Sequence, residues 1–296
     1  MIDMRIAVTG KQGQVVTSLI ERGAEIAEII AVGRPELDLA DSDSVARSLE
    51  ALRPDVVVNA AAYTMVDKAE QEAETAFRVN AEGVAAVAAA AARLGAPLIH
   101  ISTDYVFDGQ LDRPYLEDDP TGPTGVYGRS KLEGERRAAE NCENCAILRT
   151  AWVYSPFGAN FVKTMLRLGE SRSELGVVAD QRGNPTSALD IADGVLAIAE
   201  RMIKDPSREL RGVFHMTGAT EASWADFAEE IFARAERHGR APVSVKRITT
   251  ADYPTPAKRP ANSRLDNSKL RRLYGVALPD WRPSLAICVK RLLDHS

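Results

Sequence analysis

The segment RIAVTGKQGQVV, residues 5–16, joins a short apolar run to a glycine-bearing turn and the start of a helix. Glycines at positions 10 and 13 let the backbone approach a pyrophosphate, and the first turn of a helix offers N–H donors and a positive dipole end. The spacing is G-x-x-G-x-x-V, and we expect Val16, in place of a third glycine, to loosen the contact between helix and strand. The segment indicates either a dinucleotide-binding loop or a plain strand–turn–helix.

Apolar runs and helix-like stretches alternate along the first half of the chain. After a first strand at 5–8, strands are predicted at 29–32, 56–58, 98–101 and 146–148, and helices at 14–21, 42–52, 81–94 and 128–139. Near-continuous apolar strands between helices indicate an α/β fold, a Rossmann-type doubly wound parallel sheet covered on both faces. Ligands bind at the carboxyl ends of such strands, where Gly10, Asn59 and Thr103 lie.

Beyond Thr150 the pattern loosens, and proline and glycine become more frequent. Further helices are predicted near 160–169, 189–202 and 224–238, and a strand at 213–215. We interpret residues 1–155 as an NAD(P)-binding Rossmann domain and residues 156–296 mainly as a smaller C-terminal substrate-binding region. Some segments of the second part are expected to return to the Rossmann core.

Composition and charge argue against several classes of protein. Of 296 residues, 45% are hydrophobic and 27% are charged, which is an ordinary globular profile. The formal net charge is −5, so we expect no binding of nucleic acid or of an anionic membrane through bulk charge. The longest purely apolar stretch, 83–92, is half of the ~20 residues that a membrane span needs, and no signal peptide is visible. Three cysteines in a chain of this length are typical of a reducing cytoplasm.

A second motif, YGRSK, places Tyr127 and Lys131 on one face of a predicted helix. A phenol with a pKa of about 10 is a poor acid at neutral pH, and a neighbouring ammonium lowers that pKa. Alone, this spacing is equally typical of an exposed helix pair. Ser102 and Thr103, at the end of the fourth predicted strand, add hydroxyls that could hydrogen-bond the same carbonyl oxygen. Together, the glycine-bearing loop, the two hydroxyls and the Tyr–Lys pair predict a nicotinamide-dependent carbonyl reductase.

These three features, in this order along the chain, resemble the extended short-chain dehydrogenase/reductases. Further motifs narrow the resemblance to the dTDP-4-dehydrorhamnose reductases. The motifs are NAAAYTMVDKAE (59–70), STDYVFDG (102–109), VYGRSKLEGE (126–135), RTAWVYSPFGANFVKTMLRL (149–168), DQRGNP (180–185) and YPTPAKRPANSRLD (253–266). The last block is the most specific, because it lies outside the cofactor half that many reductases share.

The resemblance implies a role for each residue that matches a family position. It implies catalysis by Thr103, Tyr127 and Lys131. The implied cofactor-binding residues are Gly10, Gly13, Gln14, Val15, Asp38, Leu39, Ala61, Ala62 and Tyr63, together with Tyr127 and Lys131. The implied substrate-binding residues are Thr103, Asp104, Trp152, Arg259 and Ser263.

The implied activity is reduction of the C4 carbonyl of dTDP-4-dehydro-L-rhamnose by NADPH, in a cytoplasmic enzyme of nucleotide-sugar metabolism. The product, dTDP-L-rhamnose, would serve surface polysaccharide synthesis. Two alternatives stay open. One is a reductase of another nucleotide-linked 4-keto sugar, and the other is a non-catalytic, nucleotide-binding regulatory subunit of the same fold.

The end of the second predicted strand bears on the choice of cofactor. An NAD-specific site usually has a carboxylate there, which hydrogen-bonds the ribose 2′-hydroxyl. Here Gly33 offers no carboxylate, and Arg34 offers a cation for a 2′-phosphate. We therefore expect NADPH to be preferred, with NADH accepted. The competing interpretation is that Arg34 points to solvent and that Glu36 or Asp38 binds the ribose.

Other reactive residues have simpler interpretations. Cys142 and Cys145 form a C-x-x-C pair without a second ligand pair nearby, so a structural role is favoured over zinc. His100 lies in a predicted strand and is interpreted as a core residue. Some relatives are metal-linked homodimers, joined through acidic residues that include one on the first helix. That position corresponds to Ser18 here, so we predict no metal site, while a homodimer stays open.

Overall fold

The computed structural model describes residues 4–294. The strands are β1 (Arg5–Thr9), β2 (Glu28–Val32), β3 (Val56–Asn59), β4 (Leu98–Thr103), β5 (Cys145–Thr150), β6 (Val153–Tyr154), β7 (Glu174–Val178), β8 (Arg182–Gly183), β9 (Thr186–Ser187), β10 (Gly212–His215), β11 (Ala222–Ser223) and β12 (Ser244–Ile248). The α-helices are α1 (Gln14–Gly23), α2 (Ser42–Leu52), α3 (Val66–Ala69), α4 (Ala73–Phe77), α5 (Gly83–Leu94), α6 (Val126–Asn141), α7 (Phe161–Gly169), α8 (Ala188–Lys204), α9 (Trp224–Arg237), α10 (Ser268–Tyr274) and α11 (Trp281–Asp294). Short 3₁₀ segments lie at Asp104–Val106, Arg208–Leu210 and Thr250–Asp252, and a π-helical turn lies at Arg78–Glu82.

Six strands form the central sheet in the order β10-β5-β4-β3-β1-β2, and every neighbouring pair is parallel. The chain leaves β1 toward β2 on one side and returns to β3 on the other. The strand order therefore reverses between β1 and β3, and a crevice forms at their carboxyl ends. The predicted doubly wound parallel sheet is confirmed.

Helices cover both faces of this sheet, because its strands are apolar on both sides. On one face, α1 and α8 pack on a core that includes Val8, Leu19 and Val195. On the other face, α2, α5 and α6 pack on a core that includes Val57 and Val87. Helix α5 is rich in alanine, whose small side chain lets it lie close to its neighbours.

The second half of the chain contributes to two regions. Helix α8 and strand β10 lie in the layers of the central sheet, where β10 pairs with β5. Helices α7, α9 and α11 and the parallel pair β7–β12 enclose a separate core that includes Tyr154, Phe227 and Trp281. The proposed division at residue 155 stays a prediction.

The three cysteines are free and buried. Cys142 follows α6 directly, and Cys145 begins β5, and both side chains belong to the hydrophobic core beneath α5. The interpretation of this pair as structural agrees with that position. No helix within residues 4–294 is long and apolar enough to cross a membrane.

Helix α6 lies unusually close to the π-helical turn. A Cβ atom on Gly134 would lie 2.0 Å from the backbone oxygen of Asn80, a distance at which backbone has to move. Glycine at this point of α6 therefore sets the separation between the helix and the π-helical turn. The same helix carries Tyr127 and Lys131, so the contact also fixes their height above the sheet.

We predict that Gly134→Ala lowers the free energy of unfolding by about 1–3 kcal/mol, because the added methyl overpacks a backbone contact. In an unobstructed helix the same substitution is stabilising, by roughly 0.5–1 kcal/mol. Gly122→Ala is the control, since a Cβ there would meet Asp108 at an ordinary 3.4 Å. Urea denaturation of the two variants measures the difference. Equal stability of Gly134→Ala and Gly122→Ala would contradict the proposed contact.

Candidate active site

A cavity of about 690 Å³ opens at the carboxyl ends of β1, β3, β4 and β5. It lies at the point where the strand order reverses, as expected for a nucleotide-binding sheet. The cavity is lined by the predicted residues Gly10, Gly13, Gln14, Val15, Ala61, Ala62, Thr103, Asp104, Tyr127, Lys131 and Trp152. The structure thus brings together most of the residues that the sequence singled out.

A buried hydroxyl joins the strand ends beneath this cavity. Thr9 Oγ1 donates to Asn59 Oδ1 over 2.6 Å and accepts from the backbone N–H groups of Ala60 and Ala61, at 3.1 and 3.0 Å. The amide nitrogen of Asn59 lies 3.0 Å from His100 Nδ1 on β4. Three neighbouring strands are tied at one level, so the loops that follow them face the same cavity.

The glycine-bearing loop between β1 and α1 has the geometry that its sequence predicts. Gly10 adopts a φ of +101°, which residues with a side chain rarely adopt. Val16 lies beneath it, is 2% exposed and belongs to the core. Its methyl groups fill space next to the loop, where a Cβ on Gly10 would lie 3.3 Å from one of them, and the expectation that Val16 loosens the helix–strand contact stays a prediction.

The side chain of Gln14 connects the loop to the second half of the chain. Its Oε1 accepts hydrogen bonds from Ser155 Oγ and Asn160 Nδ2, at 2.8 and 3.0 Å. Its Nε2 donates to the backbone oxygen of Val153. These bonds engage the amide within the protein, so its backbone and the start of α1 are what remain for a ligand.

Tyr127 and Lys131 lie on α6, and Thr103 ends β4, as predicted. The ammonium of Lys131 donates to the backbone oxygen of Ile101 over 2.7 Å, which holds the side chain against β4. Thr103 Oγ1 donates to Asp104 Oδ1 over 3.0 Å. The ring of Tyr105 packs edge-on against Tyr127, with centroids 5.5 Å apart. Tyr127 is thereby held between the Thr103 hydroxyl and a second aromatic ring.

Burial governs the protonation of these groups. Burial and then the Asp104 carboxylate raise the pKa of Tyr127 to about 12, and the Thr103 hydroxyl opposes them. Burial lowers the pKa of Lys131 to about 8, against the attraction of Glu135. The expectation that Lys131 lowers the pKa of Tyr127 is not met in this structure, where burial and Asp104 raise that pKa. Tyr127 is therefore protonated at neutral pH, and its raised pKa makes it a weaker acid than a free phenol.

A buried ion pair supports the helix beneath the site, and sequence reasoning missed it. Glu135 lies one turn after Lys131 on α6 and pairs with Arg149 on β5 over 2.7 Å. Ser102 Oγ on β4 donates to the same carboxylate. Glu135 and Arg149 are each about 4% exposed. Both residues lie in motifs quoted for the resemblance, but spacing alone does not show that they pair.

The π-helical turn supplies a second missed residue. Asn80 Oδ1 accepts from the backbone N–H of Tyr63, and Asn80 Nδ2 donates to Ser130 Oγ on α6. Ser130 in turn donates to the backbone oxygen of Tyr127. The turn therefore holds the segment after β3 and the first turns of α6 in one arrangement.

A second cavity, of about 450 Å³, lies beside the first and is lined by both halves of the chain. The predicted residues Arg259 and Ser263 line it, and Tyr105 and Trp152 line both cavities. Trp152 has a φ of +49° and stacks on Trp224 with centroids 3.6 Å apart. A strained backbone of this kind is typical of functional sites. A ligand could therefore extend from one cavity into the other past Tyr105 and Trp152.

Four predicted cofactor-binding residues lie outside the residues that line the first cavity. Leu39 is buried in the core, and Asp38 accepts a hydrogen bond from the backbone of Ala40. Tyr63 is 9% exposed and donates its hydroxyl to Glu72. Arg34 is exposed directly after β2. The proposed roles of these four residues stay predictions.

Helix α1 carries Ser18 at the position where some relatives have an acidic metal ligand. Ser18 is fully buried, so it offers no ligand at the surface of the protein. Within residues 4–294, no group of three or more His, Cys, Asp or Glu side chains is arranged to hold a metal ion. His100 is also fully buried, in agreement with its interpretation as a core residue.

Comparison with known proteins gives matches over nearly the whole chain. The family model described as the RmlD substrate binding domain matches residues 4–293. A dTDP-4-dehydrorhamnose reductase of Sinorhizobium fredii (strain NBRC 101917 / NGR234) is 53% identical over 290 residues, which cover 98% of each chain.

Two solved structures extend the match to three dimensions. The dTDP-4-dehydrorhamnose reductase of Clostridium acetobutylicum ATCC 824 has a TM-score of 0.91 at 39% identity, covering 98% of this chain and 99% of that one. The enzyme of Bacillus anthracis str. Ames, in complex with NADP, has a TM-score of 0.88 at 34% identity, covering 99% of each chain. With its fold, its cavity and its motifs in agreement with these matches, the chain belongs to the family of dTDP-4-dehydrorhamnose reductases.

Proposed function

We propose that this protein reduces the C4 carbonyl of dTDP-4-dehydro-L-rhamnose to a hydroxyl, with NADPH as reductant. One observation carries the proposal: Tyr127 and Thr103 line the first cavity, and the ring of Tyr105, which packs against Tyr127, lines the second cavity as well. A dinucleotide in the first cavity and a nucleotide-linked sugar in the second would meet at the hydroxyls of Tyr127 and Thr103. Family membership supplies the identity of the sugar.

The first cavity fits a nicotinamide dinucleotide. Gly10 has a positive φ and a Cβ there would lie 3.3 Å from Val16, so the tight turn of this loop requires glycine, as in loops that bind a pyrophosphate. The amino end of α1 directs N–H groups toward the same space. Lys131 is within reach of a ribose bound over the strand ends. When bound, NADPH supplies the hydride that reduces the carbonyl carbon.

The protein's own groups control the proton. The phenol of Tyr127 is protonated at neutral pH and donates its proton to the carbonyl oxygen as negative charge develops there. Thr103 provides a second hydroxyl that hydrogen-bonds the same oxygen. Lys131 would hold the cofactor ribose, and its hydrogen bond to the backbone oxygen of Ile101 keeps its position relative to β4. Positioning of this kind lowers the entropic cost of the reaction.

Two alternatives stay testable. A reductase of another nucleotide-linked 4-keto sugar would use the same residues with a different second cavity. A non-catalytic regulatory subunit has no need of intact Thr103, Tyr127 and Lys131, all of which are present. Loss of NADPH absorbance with the dTDP-keto sugar, with a UDP-keto sugar and with neither separates the three possibilities. Turnover that requires the dTDP-keto sugar supports the proposal, and absence of turnover with it contradicts the proposal.

A cytoplasmic location and a homodimer are the remaining parts of the proposal. The sparse, free cysteines support the first, since disulfide bonds are rare in a reducing compartment. The resemblance to dimeric relatives supports the second. Size-exclusion chromatography with light scattering measures the oligomeric state directly.

We predict that Tyr127→Phe lowers kcat by about 10²–10⁴-fold, because it removes the general acid and keeps the ring. The affinity for NADPH and the melting temperature should stay near the wild-type values. Tyr274→Phe is the matched control, since its hydroxyl bonds the backbone of Leu210 at a distance from both cavities. A Tyr127→Phe enzyme with half the wild-type kcat would show that another group donates the proton.

We predict that Lys131→Met stabilises the apoprotein at pH 7. Below pH 8 the ammonium is charged in both the folded and the unfolded chain, and burying it costs on the order of 3 kcal/mol, partly offset by its bond to Ile101. Between about pH 8 and 10.5 the folded chain loses this proton first, so wild-type stability rises relative to the variant. Urea denaturation at pH 7 and 9.5 should give a smaller difference at the higher pH. A difference independent of pH would overturn this assignment.

We predict that NADPH has a higher kcat/KM than NADH and that Arg34→Ala reduces this preference. Gly33 lies against the glycine-bearing loop between β1 and α1, since a Cβ on Gly33 would be 3.3 Å from Gly10 Cα. Arg34 is the next residue along the chain and therefore lies beside this loop. Glu36, the competing ribose ligand, is already paired with Lys11 over 2.5 Å. Steady-state kinetics with both cofactors test this. A preference for NADH in the wild type, or an unchanged ratio in the variant, would contradict it.

A further inference from the structure

Two hydrogen-bond donors of the segment after Tyr253 converge on one carboxylate. Arg259 Nη2 donates to Asp67 Oδ2 over 2.7 Å, and the backbone N–H of Ala257 donates to Asp67 Oδ1 over 3.1 Å. Asp67 lies on α3, in the first half of the chain, whereas both donors lie some 190 residues later. The carboxylate therefore joins the two halves at the second cavity, which both Asp67 and Arg259 line.

A guanidinium and a backbone N–H that face one acceptor are the donor set that a phosphate group takes. Around this pair the second cavity offers the ring systems of Trp152, Trp224 and Phe161 and the cation of Arg172. Aromatic rings can stack on a nucleoside base and cations can pair with its diphosphate, whereas the Asp67 carboxylate alone uses neither the rings nor Arg172. Asp67 contributes the opposite charge at the point where an anionic ligand would bind.

We propose that Asp67 occupies the diphosphate position of the substrate site in the free enzyme and that the substrate displaces it from Arg259 and Ala257. The inference rests on the proposed function and adds a residue that tunes the affinity for the substrate. The two anions compete, because they need the same donors and repel each other at short range.

Exposure supports an exchangeable contact rather than a fixed one. The side chain of Asp67 is 43% exposed and that of Arg259 is 22% exposed, so water can reach both partners. Ion pairs at this exposure contribute little to stability, and separating one costs little. The pair of Glu135 and Arg149, about 4–5% exposed, shows the contrasting case of a permanent structural pair.

The test is Asp67→Asn, with binding of dTDP and of inorganic pyrophosphate measured by calorimetry. We expect Asp67→Asn to lower the Kd for both ligands at least about threefold, because the competing charge is gone. The affinity for NADPH should be unchanged, which also shows that the variant is folded. Glu74→Gln is the matched control: it removes the same charge from an exposed position on α4, and its Kd values should stay within about twofold of wild type.

A second comparison separates competition from a general charge effect. In the Arg259→Ala background, Asp67→Asn should improve binding by less than it does in the wild type, because only the Ala257 N–H remains of the two donors for which the anions compete. An improvement of equal size in that background would overturn the proposal. An unchanged or higher Kd in Asp67→Asn alone would also overturn the proposal. A higher Kd would mean that Asp67 orients Arg259 for the ligand.

Failure of the inference and failure of the proposed function give different results. If the wild type turns over the dTDP-keto sugar but Asp67→Asn binds no more tightly, only the inference fails. If the wild type neither binds dTDP nor turns over the keto sugar, the proposed function fails. Tighter binding of pyrophosphate by Asp67→Asn would then still support the exchange of anions at Arg259.

Discussion

The buried hydroxyl of Thr9 is the constraint on which the site depends. It joins the end of β1 to Asn59 and to the two N–H groups that follow β3, and Asn59 continues the connection to His100 on β4. A hydroxyl with one donor and two acceptor sites can satisfy all of these partners at once. The strand ends are thereby held level, and the loops that carry the glycines, the alanines and Thr103 face a common space.

Helix α6 brings the reactive groups to that space. Its close approach to the π-helical turn requires glycine at 134, and its buried face carries Lys131 and Glu135 one turn apart. Removing these side chains from water affects them in opposite ways. Burial raises the pKa of the Tyr127 phenol and lowers the pKa of the Lys131 ammonium, while Glu135 pairs with Arg149. Helix α6 thus carries the protonated phenol of Tyr127 and is held in place by the buried pair of Glu135 and Arg149.

The sequence was sufficient for the sheet and for most of the site. Runs such as VVV at 56–58 are buried on both faces, so their composition is itself the strand signal, and motif spacing brought Gly10, Thr103 and Tyr127 to one cavity. The strand β12 was missed, because three of its five residues are exposed and charged or polar, which gives no apolar run.

Contacts between distant segments were beyond a sequence-based prediction. The pairing of Asp67 with Arg259, and the overlap of two cavities at Tyr105, depend on how the second half folds against the first. The sequence also did not show which way a side chain points. Val16 interrupts a glycine pattern in the sequence, and in the structure its side chain lies in the core beneath the loop. The π-helical turn has no composition signal of its own, since its residues would suit an ordinary helix.

We expect the sugar to lie where the two cavities meet, within reach of Tyr127 and Thr103. A crystal structure with NADP⁺ and dTDP-L-rhamnose would show this arrangement. We expect the C4 hydroxyl of the sugar within hydrogen-bond distance of both side-chain hydroxyls, Trp152 beside the sugar ring and the diphosphate on Arg259. A sugar bound away from Tyr127, or a diphosphate that leaves the Asp67–Arg259 pair intact and lies elsewhere, would contradict it.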